Sequence, residues 1–236
     1  MKLALLGIIL LTLSQTVSAS SPETNCFAHH IHESIVINTA RKHFYSRLTK
    51  GHSDEVYNLL ILTERLSLPM ALVYDLRASG FQKKGVPVFC REFVSINATS
   101  TFDPSNIKIP TDKFVPFNYG PVKAQLKKAI AVGDMDAVKR LSLDAVVELN
   151  KTPSYHCMVK HIFESVYRFA YFLPKQVEAA RNAGLKSPSP LLIDGIKLHL
   201  LALLGSAQID KKSAPIQAQG IPVLCAELPH LLDGLE

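Results

Sequence analysis

The chain carries an internal repeat, and no other feature of the sequence constrains its fold as strongly. The ten residues from Cys26, CFAHHIHESI, align without a gap with the ten residues from Cys157, CMVKHIFESV. A second motif, GVPVFCREF from Gly85, matches GIPVLCAEL from Gly220, and the two motifs occur in the same order. Self-similarity of this kind is typical of duplicated structural units that pack on one another to bury a shared core. We therefore predict two related units within one chain.

The first residues have the composition of a cleaved export signal. Lys2 gives a positive start, residues 3–13 form an apolar run, and Ala19 closes a set of small residues that a signal peptidase requires. The run is shorter than the ~20 residues that a permanent transmembrane helix needs. We predict that residues 1–19 form a signal peptide and that the mature protein is exported to the periplasm or the extracellular space.

The four cysteines stand at the two ends of the repeated units. In an exported chain such cysteines are expected to be oxidised. The repeat favours one bridge within each unit, Cys26–Cys90 and Cys157–Cys225, closing loops of 64 and 68 residues. The rival pairing, Cys26–Cys157 with Cys90–Cys225, would instead staple the two units together. We predict the pairing within units.

The spacing of apolar residues predicts helices. Ser53 can cap a helix whose apolar run continues to Leu68, where Pro69 breaks or kinks it. The segment from Pro121 to Leu149 has helical spacing with a Gly-Asp break in its middle, which predicts a helical hairpin. Few stretches alternate with a period of two, so a sheet is not expected. We predict an all-α fold.

The composition also indicates how the mature chain is organised. Residues 20–93 hold the first helical repeat. Residues 94–118 are rich in proline and short polar side chains and lack periodicity, which predicts an extended connector. Residues 119–236 hold the helical hairpin and the second helical repeat. Each repeat is predicted to be closed by its own disulfide.

Charge and hydropathy argue against two classes of partner. The formal net charge is +6, but the basic residues are scattered and their densest groups are lysine pairs. A nucleic-acid interface would cluster Lys and Arg on one face, so no nucleic-acid partner is expected. The most apolar later stretch, residues 191–204, is interrupted by Asp194, Lys197 and His199. We therefore expect no stable insertion into a membrane.

A His and a Glu three residues apart recur in both units, as His30 with Glu33 and as His161 with Glu164. Imidazole with carboxylate is a suitable donor set for a transition metal. Di-iron bundles, however, use the order Glu-x-x-His and add inward glutamates from two further helices, which are not evident here. We favour His–Glu pairs that fix helix packing and expect no cofactor, with a metal site as the alternative. Cys157 is not expected to be a catalytic thiolate, because a bridged cysteine is not free.

No Gly-x-Ser-x-Gly elbow, phosphate-binding glycine loop or His-Glu-x-x-His motif occurs in the chain. We therefore expect no enzyme. The favoured hypothesis is an exported binding protein, such as an inhibitor, an immunity-type protein or an accessory subunit, that presents a disulfide-bonded helical scaffold to a protein partner. One alternative is a carrier of an apolar ligand between the helices, lined by residues 191–204 and aromatic side chains such as Phe169. Another is a metal-dependent enzyme that uses the His–Glu pair of each unit.

Overall fold

The computed structural model describes residues 25–90, 113–152 and 155–225, and within them all regular structure is helical. Six helices follow one another along this part of the chain: α1 (Cys26–Leu48), α2 (Asp54–Gln82), α3 (Gly120–Val132), α4 (Met135–Leu149), α5 (Cys157–Asn182) and α6 (Ser189–Gln217). The predicted all-α fold is confirmed. The predicted signal peptide and most of the predicted connector lie outside the described residues.

The helices form three hairpins. α1 packs against α2, α5 packs against α6, and the shorter α3 and α4 pack against each other. The hairpin of α3 and α4 packs on the hairpin of α5 and α6 through α4, which lies along α5. The two long closing helices, α2 and α6, also contact each other and so join the first hairpin to the second.

The helix boundaries agree with the sequence signals in some places and correct them in others. Gly133 ends α3 with a left-handed φ of 75°, and the Asp134 side chain caps α4 by accepting a hydrogen bond from Ala137 N. Ser53 precedes α2 as predicted, but its hydroxyl accepts a hydrogen bond from the Thr49 hydroxyl and makes no capping bond. Ser53 is fully buried, and its side chain stabilises the turn between α1 and α2, not the start of α2.

Pro69 was predicted to break or kink a helix that Met70 to Leu76 resume, and α2 is continuous through Pro69 to Gln82, so the helix does not break there. Proline removes one backbone N–H and leaves a carbonyl one turn earlier without its usual donor. Pro69 lies on the exposed side of α2, where water can hydrate that carbonyl. The helix is therefore not forced to end there.

The main core is a cluster of buried apolar side chains that draws on all six helices. Phe89, from the GVPVFC motif of the first unit, lies at its centre: its ring centroid is 5.4 Å from that of Phe27 and 5.8 Å from that of Phe169 in the second hairpin. Gly195 of α6 admits this contact, because a Cβ there would lie 2.8 Å from the Phe169 ring and 3.2 Å from the Phe89 ring. The closing motif of the first unit therefore packs directly into the second.

A smaller cluster lies at the other end of the first hairpin. Tyr45 and Tyr57 stack across the turn between α1 and α2, with ring centroids 5.7 Å apart. The same cluster contains Met158 from the start of α5 and Leu224 from the closing motif of the second unit. Each hairpin thus contributes its closing motif to a cluster that also contains the other hairpin.

Candidate functional site

Two disulfides close the hairpins. Cys26 is bonded to Cys90 and Cys157 to Cys225, with Cα atoms 5.0 and 5.1 Å apart. The pairing predicted within units is confirmed, and the rival pairing between units is wrong. Each bridge ties the first residue of a hairpin to its closing motif, and a loop of this length contributes roughly 4 kcal/mol in the chain-entropy description. None of the four cysteines is free.

In each hairpin a buried aspartate of the second helix accepts hydrogen bonds from backbone N–H groups at the start of the first helix. The N-terminal turn of α1 has no side-chain cap from Asn25, which leaves backbone N–H donors that need partners. Asp75 of α2 supplies them: its two carboxylate oxygens accept hydrogen bonds from Phe27 N (3.1 Å) and Ala28 N (2.8 Å). Burial raises the pKa of Asp75 to about 6, and the two N–H donors oppose part of this rise.

Asp210 makes the same contacts in the second hairpin. Its carboxylate oxygens accept hydrogen bonds from Met158 N and Val159 N, both at 3.0 Å, at the start of α5. Burial raises its pKa to about 7, again against the two N–H donors. In the sequence each aspartate lies ten residues before the glycine of the closing motif. That equal spacing is the signal that could have identified the pair, although sequence reasoning began the match only at the glycine.

The closing motifs themselves also match in backbone conformation. Phe89 and Leu224, the residues before the second cysteine of each unit, have left-handed φ values of 68° and 74°. This conformation is uncommon for side chains of this size, so its occurrence at two matching positions is a specific similarity. The duplication that would produce it stays a prediction from the two sequence motifs.

The glutamates of the predicted His–Glu pairs have charged or polar neighbours on their own helices. Glu33 Oε1 lies 3.1 Å from His29 Nε2, one turn earlier on α1. The buried Glu164 has its Oε1 3.7 Å from Lys160 Nζ. Within residues 25–90, 113–152 and 155–225, no group of three or more His, Cys, Asp or Glu side chains is arranged to hold a metal ion.

The histidines of those pairs belong to a group at the junction of the hairpins. His30 of α1 and His199 of α6 are close enough to His161 of α5 for their charges to act on it. Burial, and then these two histidines, lower the pKa of His161 to about 3. Burial also lowers the pKa of His199, whose Nδ1 lies 2.8 Å from the Gly195 carbonyl oxygen. Near neutral pH His161 and His199 are therefore uncharged packing groups.

A third polar group lies between α1 and α2. Glu64 Oε1 accepts hydrogen bonds from the Ser34 hydroxyl and from Asn38 Nδ2, the latter at 2.8 Å. Its other oxygen, Oε2, is buried without a hydrogen-bond partner. Burial raises the pKa of Glu64 to about 7, while the two hydrogen bonds and the charge of Arg41 oppose the rise. This pairing could not be predicted from the sequence, because Glu64 lies outside both repeated motifs.

Two ion pairs connect α2 with α6. Arg77 lies 3.3 Å from the Asp194 carboxylate, and Lys212 contacts the Glu55 carboxylate. Glu55 lies in the first turn of α2 while Lys212 is near the end of α6, so the two helices run antiparallel. Exposed ion pairs contribute little stability. They do show the register in which α2 and α6 lie side by side.

Between these ion pairs α2 and α6 expose apolar side chains. We call this set the α2/α6 surface; it consists of seven residues that are 45–75% exposed, namely Leu62, Leu66, Met70, Val73, Leu76, Leu201 and Leu204. Leu66 is 70% and Leu201 68% exposed. Single exposed leucines need no explanation, whereas large contiguous apolar patches are rare on the surfaces of monomeric proteins.

The exposed leucines of the two helices lie on the same side of the pair. Leu66 lies within about 20° of Arg77 around the axis of α2 and opposite Asp75, which faces α1. In the same way, Leu201 of α6 lies within about 20° of Asp194 and opposite Asp210, which faces α5. Because the Arg77–Asp194 ion pair joins these sides of the two helices, both leucines lie on the side of the pair that carries the ion pair.

Both helices are long and apolar enough to cross a membrane, judged by length and composition alone. Core helices of other proteins satisfy the same criterion, and here α2 and α6 each pack inside a hairpin. Their burial is nevertheless low: only 28% and 39% of the most apolar stretch of each helix is buried. Much of their apolar surface therefore faces outward, although the absence of stable membrane insertion stays a prediction.

Comparison with protein families, with curated proteins and with solved structures finds no match to this chain.

Proposed function

We propose that this chain is an exported, non-enzymatic binding protein that docks a protein partner on the α2/α6 surface. The observation that carries the proposal is the row of exposed apolar side chains on two helices from different hairpins, centred on Leu66 and Leu201. Burying such side chains against a partner contributes about 25 cal/mol for each Å² removed from water. A surface of this kind supports binding without requiring catalytic groups.

The scaffold beneath the surface is held in one shape, which favours binding because little order has to be imposed when the partner docks. A disulfide closes each hairpin. Asp75 and Asp210 fix the starts of α1 and α5 to the two helices that form the surface. The disulfides are compatible with export, and the signal peptide predicted at residues 1–19 supports it.

The alternative functions gain no comparable observation. Phe169 and Leu200, which would line a cavity for an apolar ligand, are buried in the main core. The His–Glu pairs that a metal-dependent enzyme would use meet separate neighbours, His29 for Glu33 and Lys160 for Glu164.

The test compares two double variants of the full mature protein. Leu66→Ser with Leu201→Ser removes the centre of the surface, whereas Val132→Ser with Val147→Ser removes exposed apolar side chains on α3 and α4. Both proteins and the wild type are cross-linked in the native host, and the attached proteins are quantified by mass spectrometry. We expect one partner to be enriched by the wild type and the control but lost with the surface variant. Recovery of the same proteins by all three would refute the proposal.

A further inference from the structure

The α2/α6 surface is formed by two antiparallel helices that lie side by side. Glu55 and Arg77, which make the end ion pairs, are 22 residues apart on α2, which corresponds to roughly 33 Å of helix. The exposed apolar side chains of α2, from Leu62 to Leu76, cover about 21 Å of this length. Two helices side by side leave a shallow channel into which a third helix can pack its side chains.

The channel has a notch at Gly205. A side-chain carbon placed on Gly205 would meet no atom within 4 Å. Gly205 adjoins Leu204 on α6, and in the register set by the two ion pairs it lies opposite the stretch of α2 between Leu62 and Leu66. Because glycine has no side chain, Gly205 leaves a gap next to the exposed Leu204, and a large apolar side chain from a partner can fill this notch.

Positive charges outnumber negative charges around the channel. We counted the charged side chains from Glu55 to Arg77 on α2 and from Asp194 to Lys212 on α6, leaving out those buried within a hairpin. Five are cations and two are carboxylates, which gives a net charge of +3. They are Arg65, Arg77, Lys197, Lys211, Lys212, Glu55 and Asp194. Both carboxylates are already in ion pairs. The channel therefore complements a partner whose margins are acidic.

We infer that the partner docks an amphipathic α-helix with acidic margins along this channel, with a large apolar side chain seated at Gly205. The inference rests on the proposed function and names the chemistry of its partner. The docked helix presents apolar residues at i, i+3, i+4 and i+7 to the leucines of α2 and α6. Its Glu and Asp residues meet the cations that border the channel on α2 and α6.

The experiment uses two synthetic peptides of about 18 residues, or five helical turns. Both carry leucines at the same i, i+3, i+4, i+7 positions, but one has glutamate margins and the other lysine margins. Binding of each fluorescent peptide to the oxidised mature protein is measured by anisotropy. We expect the glutamate peptide to bind at least about tenfold more tightly, with a preference that shrinks as salt is added.

Three variants test the parts of the channel. Gly205→Leu fills the notch and is expected to weaken the glutamate peptide about tenfold, as is Leu66→Ser. Arg65→Glu with Lys197→Glu is expected to abolish or reverse the preference between peptides. Val147→Ser on α4 is the matched control and leaves binding unchanged. Circular dichroism and thermal unfolding establish that each variant is folded.

Several outcomes would overturn the inference. These are equal binding of the two peptides, absence of binding by the glutamate peptide, or binding that Gly205→Leu leaves unchanged. Leu66-dependent binding to phosphatidylglycerol vesicles, without binding of the glutamate peptide, would assign the surface to a membrane. If no peptide binds but the host partner is still lost with Leu66→Ser and Leu201→Ser, the proposed function stands and only this inference fails.

Discussion

Asp75 and Asp210 make the same pair of hydrogen bonds in the two hairpins, each accepting two backbone N–H groups from the first turn of the helix before it. Neither helix start has a local side-chain cap. The second helix of each hairpin therefore completes the first, and the disulfide beside it holds the two in place.

The first prediction concerns this contact. Asp210→Asn keeps the size of the side chain but sets an amide NH2 group against one of the two backbone donors, so one buried N–H loses its acceptor. We expect the free energy of unfolding to fall by about 1–3 kcal/mol. Urea denaturation of the oxidised protein measures it. Asp194→Asn, at a partly exposed ion pair, is the control and should change stability by less than about 1 kcal/mol; equal effects at the two positions would contradict the prediction.

The second prediction concerns Glu64, whose pKa is raised from 4.5 to about 7. The folded protein holds this proton more tightly than the unfolded chain, so its contribution to stability is present below about pH 4.5 and is lost as the pH rises through about 7. Glu64→Gln retains an acceptor for Asn38 and does not titrate. We expect the variant to gain on the wild type between pH 5 and 8 by at most about 3 kcal/mol, measured by urea denaturation. A difference that stays constant with pH would contradict the buried carboxyl.

The third prediction has the opposite sign. Burial and its neighbours lower the pKa of His161 from 6.5 to about 3, so protonation favours the unfolded chain. The stability that neutral His161 contributes is present above about pH 6.5 and is lost as the pH falls towards 3. Wild type is expected to lose stability relative to His161→Gln by up to about 1.4 kcal/mol per pH unit in this window. His30 and His199 remain in both proteins, so parallel pH profiles would show that His161 is not the group responsible.

The fourth prediction uses two glycines inside helices. A Cβ at Gly80 in α2 would meet no atom within 4 Å, whereas a Cβ at Gly195 in α6 would lie 2.8 Å from the Phe169 ring. Gly80→Ala is expected to raise the free energy of unfolding by about 0.5–1 kcal/mol, because alanine restricts the unfolded chain and favours a helix. Gly195→Ala is expected to lower it by about 1–3 kcal/mol through overpacking. Thermal unfolding of both variants measures these changes in stability. Equal changes of the same sign would contradict the packing described for Gly195.

The parts of this structure that local sequence determines could be predicted. Helical spacing gave the all-α fold, and the repeated cysteines gave the pairing Cys26–Cys90 and Cys157–Cys225. Gly133 ends α3 as predicted, because glycine has no side chain and adopts the left-handed conformation without strain. The sequence left open whether Pro69 breaks or kinks the helix, because the effect of proline depends on whether the freed carbonyl is exposed, and the packing of α2 decides this.

The parts that depend on contacts between hairpins could not be predicted. Leu66 and Leu201 lie in long apolar helices, and the sequence does not distinguish the leucines that face the core from those that α2 and α6 leave exposed. The partners of Glu64 could not be predicted either, because Ser34 and Asn38 contact it only when α1 packs on α2. Asp75 and Asp210 are intermediate, since their shared spacing from the closing motifs was present in the sequence.

Because each disulfide closes within its own hairpin, no sulfur bridge crosses from one hairpin to the other. A single peptide-bond cut between Cys90 and Cys157 would leave two oxidised fragments with no covalent link. What would then hold them together is the seating of Phe89 beside Phe169 and Gly195 and the pairing of α2 with α6. After such a cut, the α2/α6 surface would exist only while these noncovalent contacts keep the two disulfide-closed fragments together.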